Sequence, residues 1–172
     1  MPQSGKDLFV QDAQDILGKE RVLNISTVDF VKEIATKCGW DGTKTPENRK
    51  FLSDLKALLT EWNDVPFKKV EEAINRFRAE AYCEYSYDDS ELWVFIHCRE
   101  PQEIQKFVDR MNAHTLLIRR AAVEQNHQSN HSDADVLNYQ YDDVIKNDST
   151  LEEYYERVRQ YIVKQYIGDK QK

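Results

Sequence analysis

The sequence predicts an α/β fold, a mostly parallel sheet with helices on both faces, in three layers. Three observations carry that reading. Segments with apolar residues at three- and four-residue steps alternate along the chain with short runs rich in β-branched and aromatic residues. One run, Leu-Trp-Val-Phe-Ile-His-Cys at 92–98, is almost continuously apolar, as strands covered on both faces are. No repeat or linker-like stretch interrupts the 172 residues, a length that suits a single domain, 1–172, with a sizeable core.

Taken in order, Lys6 to Leu17 places Phe9, Val10, Ala13, Ile16 and Leu17 on one helical face, and Gly18 is suited to end that helix. Arg21 to Ser26 is a short, partly β-branched strand. Ser26 or Thr27 is expected to cap the next helix, whose stripe is Phe30, Val31, Ile34 and Ala35, up to Cys38. Trp40 to Pro46 has loop chemistry, with Pro46 a natural first helical residue. Two long helices follow. One is marked by Phe51, Leu52, Leu55, Leu58, Leu59 and Trp62; after a break at Asn63-Asp64 the second runs from Val65 to about Tyr85. Beyond the strand at 92–98, Pro101 opens a helix with Ile104, Phe107, Val108 and Met111. Thr115 to Ile118 is a buried-type strand ending in Arg119-Arg120. Residues 121–138 are polar and aperiodic and read as a mobile excursion. Tyr141 to Ile145 is a last strand, and Thr150 with Glu153 forms a capping box for a C-terminal helix whose tail frays after Ile167.

Composition excludes several classes. A net charge of −7 and a pI near 5.2 lack the basic footprint of a general nucleic-acid binder. No apolar run approaches the length of a membrane span, and no secretory leader is read at the N-terminus. Cys38, Cys83 and Cys98 are odd in number and widely separated, which fits reduced thiols in the cytoplasm.

The chemistry-bearing stretch is residues 3–8, Gln-Ser-Gly-Lys-Asp-Leu, the second half of a phosphate-binding loop followed by a helical pattern. Backbone N–H groups at a helix N-terminus form an anion cradle, Gly5 allows close approach, and Lys6 supplies a point charge to transferring phosphates. Arg119 and Arg120, at a strand end before a polar excursion, have the placement of lid arginines; the plainer reading is a solvated pair. Arg99-Glu100-Pro101 follows the strongest strand, where open α/β sheets hold ligands, although a helix-capping Glu100 before Pro101 is the default. His127 and His131 are four apart, but their polar surroundings favour a solvated loop over zinc. Asp88-Asp89 and Asp142-Asp143 read as turn and strand-end residues.

In series, Ser4-Gly5-Lys6-Asp7, Ser26-Thr27-Val28-Asp29, Gly39-Trp40-Asp41-Gly42 with Arg49, Arg99-Glu100, Arg119-Arg120 and Tyr141 to Asn147 resemble the P-loop nucleoside and nucleotide monophosphate kinases, especially phage-type deoxynucleoside monophosphate kinases and phosphomevalonate-type enzymes. The resemblance spans nearly the whole chain. It implies ATP-dependent, Mg²⁺-assisted phosphoryl transfer to a small phosphorylated acceptor, most simply a (deoxy)nucleoside monophosphate. By position, Gln3, Ser4, Gly5, Lys6, Asp7 and Leu8 hold the donor phosphates, with Asp7 at the usual metal position. Lys6, Arg119 and Arg120 stabilise transferring charge, with a lid over about 119–138. Ser26, Asp29, Trp40, Asp41, Arg49 and Arg99 line the acceptor side, with a helical acceptor region over about 40–88, and Asn147 and Asp148 lie near the donor base. In this family a central strand and a first glycine precede the half-loop seen here. An upstream start, a shortened protein, or a strand supplied by another segment or chain would each account for that difference. An incomplete sheet favours self-association, and without the full loop catalysis is expected to be weak or absent. The alternative is a non-catalytic binding or assembly protein of the same fold, for which the helices at 46–85 offer a partner surface.

Overall fold

The structure is a computed structural model that describes residues 4–124 and 136–169. It is mixed α/β, predominantly helical, and the strands among the described residues all pair in parallel. The chain forms two compact units, one of Glu20–His97 and one of Met1–Lys19 with Cys98–Lys172.

The Glu20–His97 unit contains β1 (Val22–Ser26), α2 (Asp29–Lys37), α3 (Pro46–Asn63), α4 (Val65–Tyr85) and β2 (Trp93–His97), α1 belonging to the other unit. β1 and β2 pair in parallel from Val22↔Trp93 to Ser26↔His97. The helices between them provide the crossover that a parallel pair requires. Thr45 Oγ1 accepts from the Asn48 N–H at 3.2 Å and Pro46 occupies the first turn, so α3 starts where its sequence directs. Asp64, left-handed at φ 52°, ends α3 and opens α4. Val22, Val31, Ala35, Phe67, Val70, Ile74 and Ala81 make the core of this unit.

The other unit contains α1 (Lys6–Leu17), α5 (Pro101–Met111), β3 (Leu116–Arg119), α6 (Ala121–Glu124), β4 (Asp143–Lys146) and α7 (Leu151–Asp169). β3 and β4 are parallel from Leu116↔Asp143 to Arg119↔Lys146. α1 packs on α7 through Phe9, Val10 and Ala13 and through Tyr154, Val158 and Ile162, all buried, with Phe9 and Tyr161 edge-to-face at 5.8 Å. Ile104, Phe107, Val136 and Ile145 complete this core.

Several local expectations change. Arg21 leaves the strand for a 3₁₀ turn, where its guanidinium lies 4.3 Å from the centre of the Tyr87 ring. α2 starts after Val28, which gives no side-chain cap; neither Ser26 nor Thr27 is its N-cap. Instead the Ser26 N–H donates to Asp29 Oδ2 at 2.8 Å, a local bond that competes with capping. β2 is half-buried along its whole length rather than covered on both faces. Thr115 and Tyr141-Asp142 precede their strands, and β3 extends to Arg119. Within the excursion read as aperiodic, residues 121–124 and 136–138 are helical. Gln3, His127, His131 and the rest of 125–135 lie outside the described residues, and α7 continues past Ile167 to Asp169.

Candidate functional site at the start of the first helix

Gly5 caps α1 at φ 101°, a conformation favourable only to glycine. The first backbone bond of α1 is from the Phe9 N–H to the Gly5 carbonyl at 2.8 Å, and no side chain caps this end. The amides of Lys6, Asp7 and Leu8 therefore lack acceptors within the helix and point out of its positive end.

Two side chains fix this turn. Asn147, buried just after β4, donates through Nδ2 to the Ser4 carbonyl at 3.0 Å. The Tyr154 hydroxyl donates to the Gly5 carbonyl at 3.1 Å from α7. The Asn147 N–H in turn donates to the Arg119 carbonyl at 2.7 Å, continuing the β3–β4 pairing by one residue. Ser4 and Gly5 are thus tied to the carboxyl ends of β3 and β4, beside the residue that opens the arginine pair. Asp148 holds the segment after that pair, its Oδ1 accepting from the Ala121 N–H at 2.6 Å. Asn147 and Asp148, expected near a donor base, are engaged with main chain here.

Lys6 is paired with its neighbour, Nζ to Asp7 Oδ1 at 2.6 Å, so the side chains expected to meet phosphate and metal meet each other. Arg119 and Arg120 are exposed at the strand end, and Arg99 is exposed ahead of α5. Glu100 stands at the N-cap position of α5 with Pro101 in the first turn, but the Glu100 side chain does not cap the helix as expected. Among the described residues no group of three or more His, Cys, Asp or Glu side chains is placed to hold a metal ion.

The remaining residues expected on the acceptor side belong to the Glu20–His97 unit. Ser26 lies at the carboxyl end of β1; its Oγ donates to the His97 carbonyl at 3.3 Å, and Asp29 binds the Ser26 N–H and Lys32 Nζ. Trp40 and Asp41 are brought together in a separate loop. Trp40 Nε1 donates to the Thr43 carbonyl at 3.2 Å, and Asp41 Oδ1 accepts from the Thr43 N–H, the Thr43 hydroxyl and Asn48 Nδ2. The Thr43 amide, then its hydroxyl, holds the Asp41 carboxyl below the ordinary carboxylate value. Arg49 is exposed on α3.

Tyr154 was not among the site residues expected from sequence. Its sequence signal is only that of a core aromatic one turn into a capped helix, and its hydroxyl's partner lies 149 positions away. Compared with protein-family models and with curated protein sequences, the chain matches none.

Proposed function

We propose that this chain is a P-loop-kinase-like domain that transfers the γ-phosphoryl group of ATP to a small phosphorylated acceptor, most simply a (deoxy)nucleoside monophosphate. The observation that carries the reading is the position of the Ser4-Gly5 turn. It joins an α1 N-terminus without a side-chain cap to the carboxyl ends of two parallel strands and to the residue preceding Arg120. Open α/β sheets hold phosphates at such a place.

The donor fits the residues present. Amides of Lys6, Asp7 and Leu8 would receive the phosphates, Lys6 would exchange Asp7 for them, and the arginine pair would stabilise charge on the transferring group. Mg²⁺ neutralises phosphate charge when bound. Asp7 is the sole carboxylate in the 3–8 loop, which suits an ion held largely by phosphate and water. The three-layer sheet belongs to the same reading.

A second reading, a non-catalytic binding module, is favoured by one specific feature. Asn147 fills the space around Gly5, and Lys6 is already neutralised by Asp7. Calorimetric titration with Mg²⁺–ATP and Mg²⁺–ADP separates binding from inertness, and a panel of nucleoside monophosphates then separates a kinase from an inert binder. The kinase reading expects donor binding, loss of transfer in Lys6→Ala, and a lower kcat with little change in donor affinity in Arg120→Ala. Absence of binding at about 1 mM ligand, weaker than ordinary substrate affinities, overturns it.

A further inference from the structure

We propose that the outward edge of β4 is a docking groove for an extended acidic peptide, which adds a strand to the β3–β4 pair. The direction of the main chain comes first. The Asp143 N–H donates to the Thr115 carbonyl at 3.1 Å and the Asn147 N–H to the Arg119 carbonyl at 2.7 Å. Alternate residues of β4 therefore face β3, and Val144 and Lys146 turn their main-chain groups the other way. On that side the Lys146 carbonyl accepts from Arg157 Nη1 at 2.8 Å. Among the described residues the N–H and C=O of Val144 have no hydrogen-bond partner, and its side chain is 51% exposed.

Beside this edge is a cavity of about 460 Å³, lined by Val144 and Lys146 of β4 and by Arg157, Gln160, Tyr161 and Lys164 of α7. The α7 residues follow helical spacing, so they form one wall. Three of these lining groups are cations and none is a carboxylate, in a chain whose net charge is −7. Glu156, on the same helix, is engaged by Gln160 Nε2 at 3.1 Å and by Arg159 at 3.6 Å. Asp143, next to Val144 and close enough to act on the Tyr161 hydroxyl, is engaged by His114 Nε2 at 2.7 Å and by Gln165 Nε2 at 3.1 Å. Lys146 and Lys164 make no ion pair among the described residues.

The chemistry selects the occupant. A lone phosphate would use the cations but not the Val144 carbonyl, which needs a donor. An extended peptide supplies alternating N–H and C=O groups, sets one side chain against exposed Val144, and directs acidic neighbours to Lys146, Arg157 and Lys164.

The test is fluorescence anisotropy of a short labelled peptide alternating glutamate and valine, titrated with the whole chain. Saturable binding is expected, weakening about tenfold as salt rises from about 50 to about 300 mM. The double variant Lys146→Glu, Lys164→Glu is expected to lose more than about tenfold in affinity with an unchanged melting curve, since both side chains are exposed. N-methylation of alternate peptide amides should abolish binding, and the Val144 amide resonance should shift with the unmodified peptide. Equal affinity for the N-methylated peptide, an unaffected double variant, or full displacement by inorganic phosphate without amide dependence would each overturn the proposal in favour of no site or a simple anion site.

Discussion

At Gly5 a β-carbon would stand 2.1 Å from Asn147 Nδ2, and φ is 101°. Gly5→Ala is therefore expected to destabilise the fold by about 2 kcal/mol, combining left-handed strain with displacement of a buried amide; urea unfolding measures it. That cost is independent of any phosphate, so a stability loss in this variant does not by itself support the kinase reading. Two carboxylates give opposite pH responses. Asp12 is buried on α1, and burial first, with Asp15 second, raises its pKa. A raised carboxyl contributes stability below its unfolded value that is lost as pH rises through the folded one. Asp12→Asn should thus raise the melting temperature near pH 7, with the gain vanishing near about pH 3. Asp142 is held low by the Thr115 N–H, then the Thr115 hydroxyl, with His114 a lesser contributor. Its contribution is present above the unfolded value and disappears as pH falls through the folded one. Asp142→Asn should narrow the difference in urea midpoint between about pH 6 and about pH 3.

Among the elements, α3 and α7 were the most legible in the sequence, because periodic apolar residues and caps agree. The Thr45 hydroxyl caps α3, and the Thr150 hydroxyl accepts from the Glu153 N–H at 3.3 Å at the start of α7. Thr45→Ala is expected to cost about 1 kcal/mol in chemical denaturation. Ile162 is buried where α7 meets α1, and Ile162→Ala should cost about 3 kcal/mol with a cavity left behind. The start of α2 was misread for a physical reason: Ser26 and Asp29 can bond locally in more than one way, and composition alone does not choose among them. The four strands were found because their apolar runs are short and bounded. Their ends shifted by one or two residues, since pairing partners rather than local composition fix a strand end.

For the molecule as a whole, charge is the clearest property. With 31 acidic against 24 basic side chains, the chain should be least soluble near its pI of about 5.2, and light scattering across pH tests this. Exposed Trp62, Leu58 and Tyr82 on α3 and α4 would strengthen that association once repulsion falls. The amino-acid order by itself determined the longer helices, the four strands and their alternation, though not the helical turns at 121–124 and 136–138, because periodicity and capping act over a few residues. Only the tertiary structure decided that β1 pairs with β2 and β3 with β4 as two separate parallel pairs. It alone brought Asn147 and Tyr154 to the Ser4-Gly5 turn, and β4's outward edge to the cations of α7. Those associations join residues far apart in the chain, and a hydrogen bond between distant positions leaves no local periodicity to read.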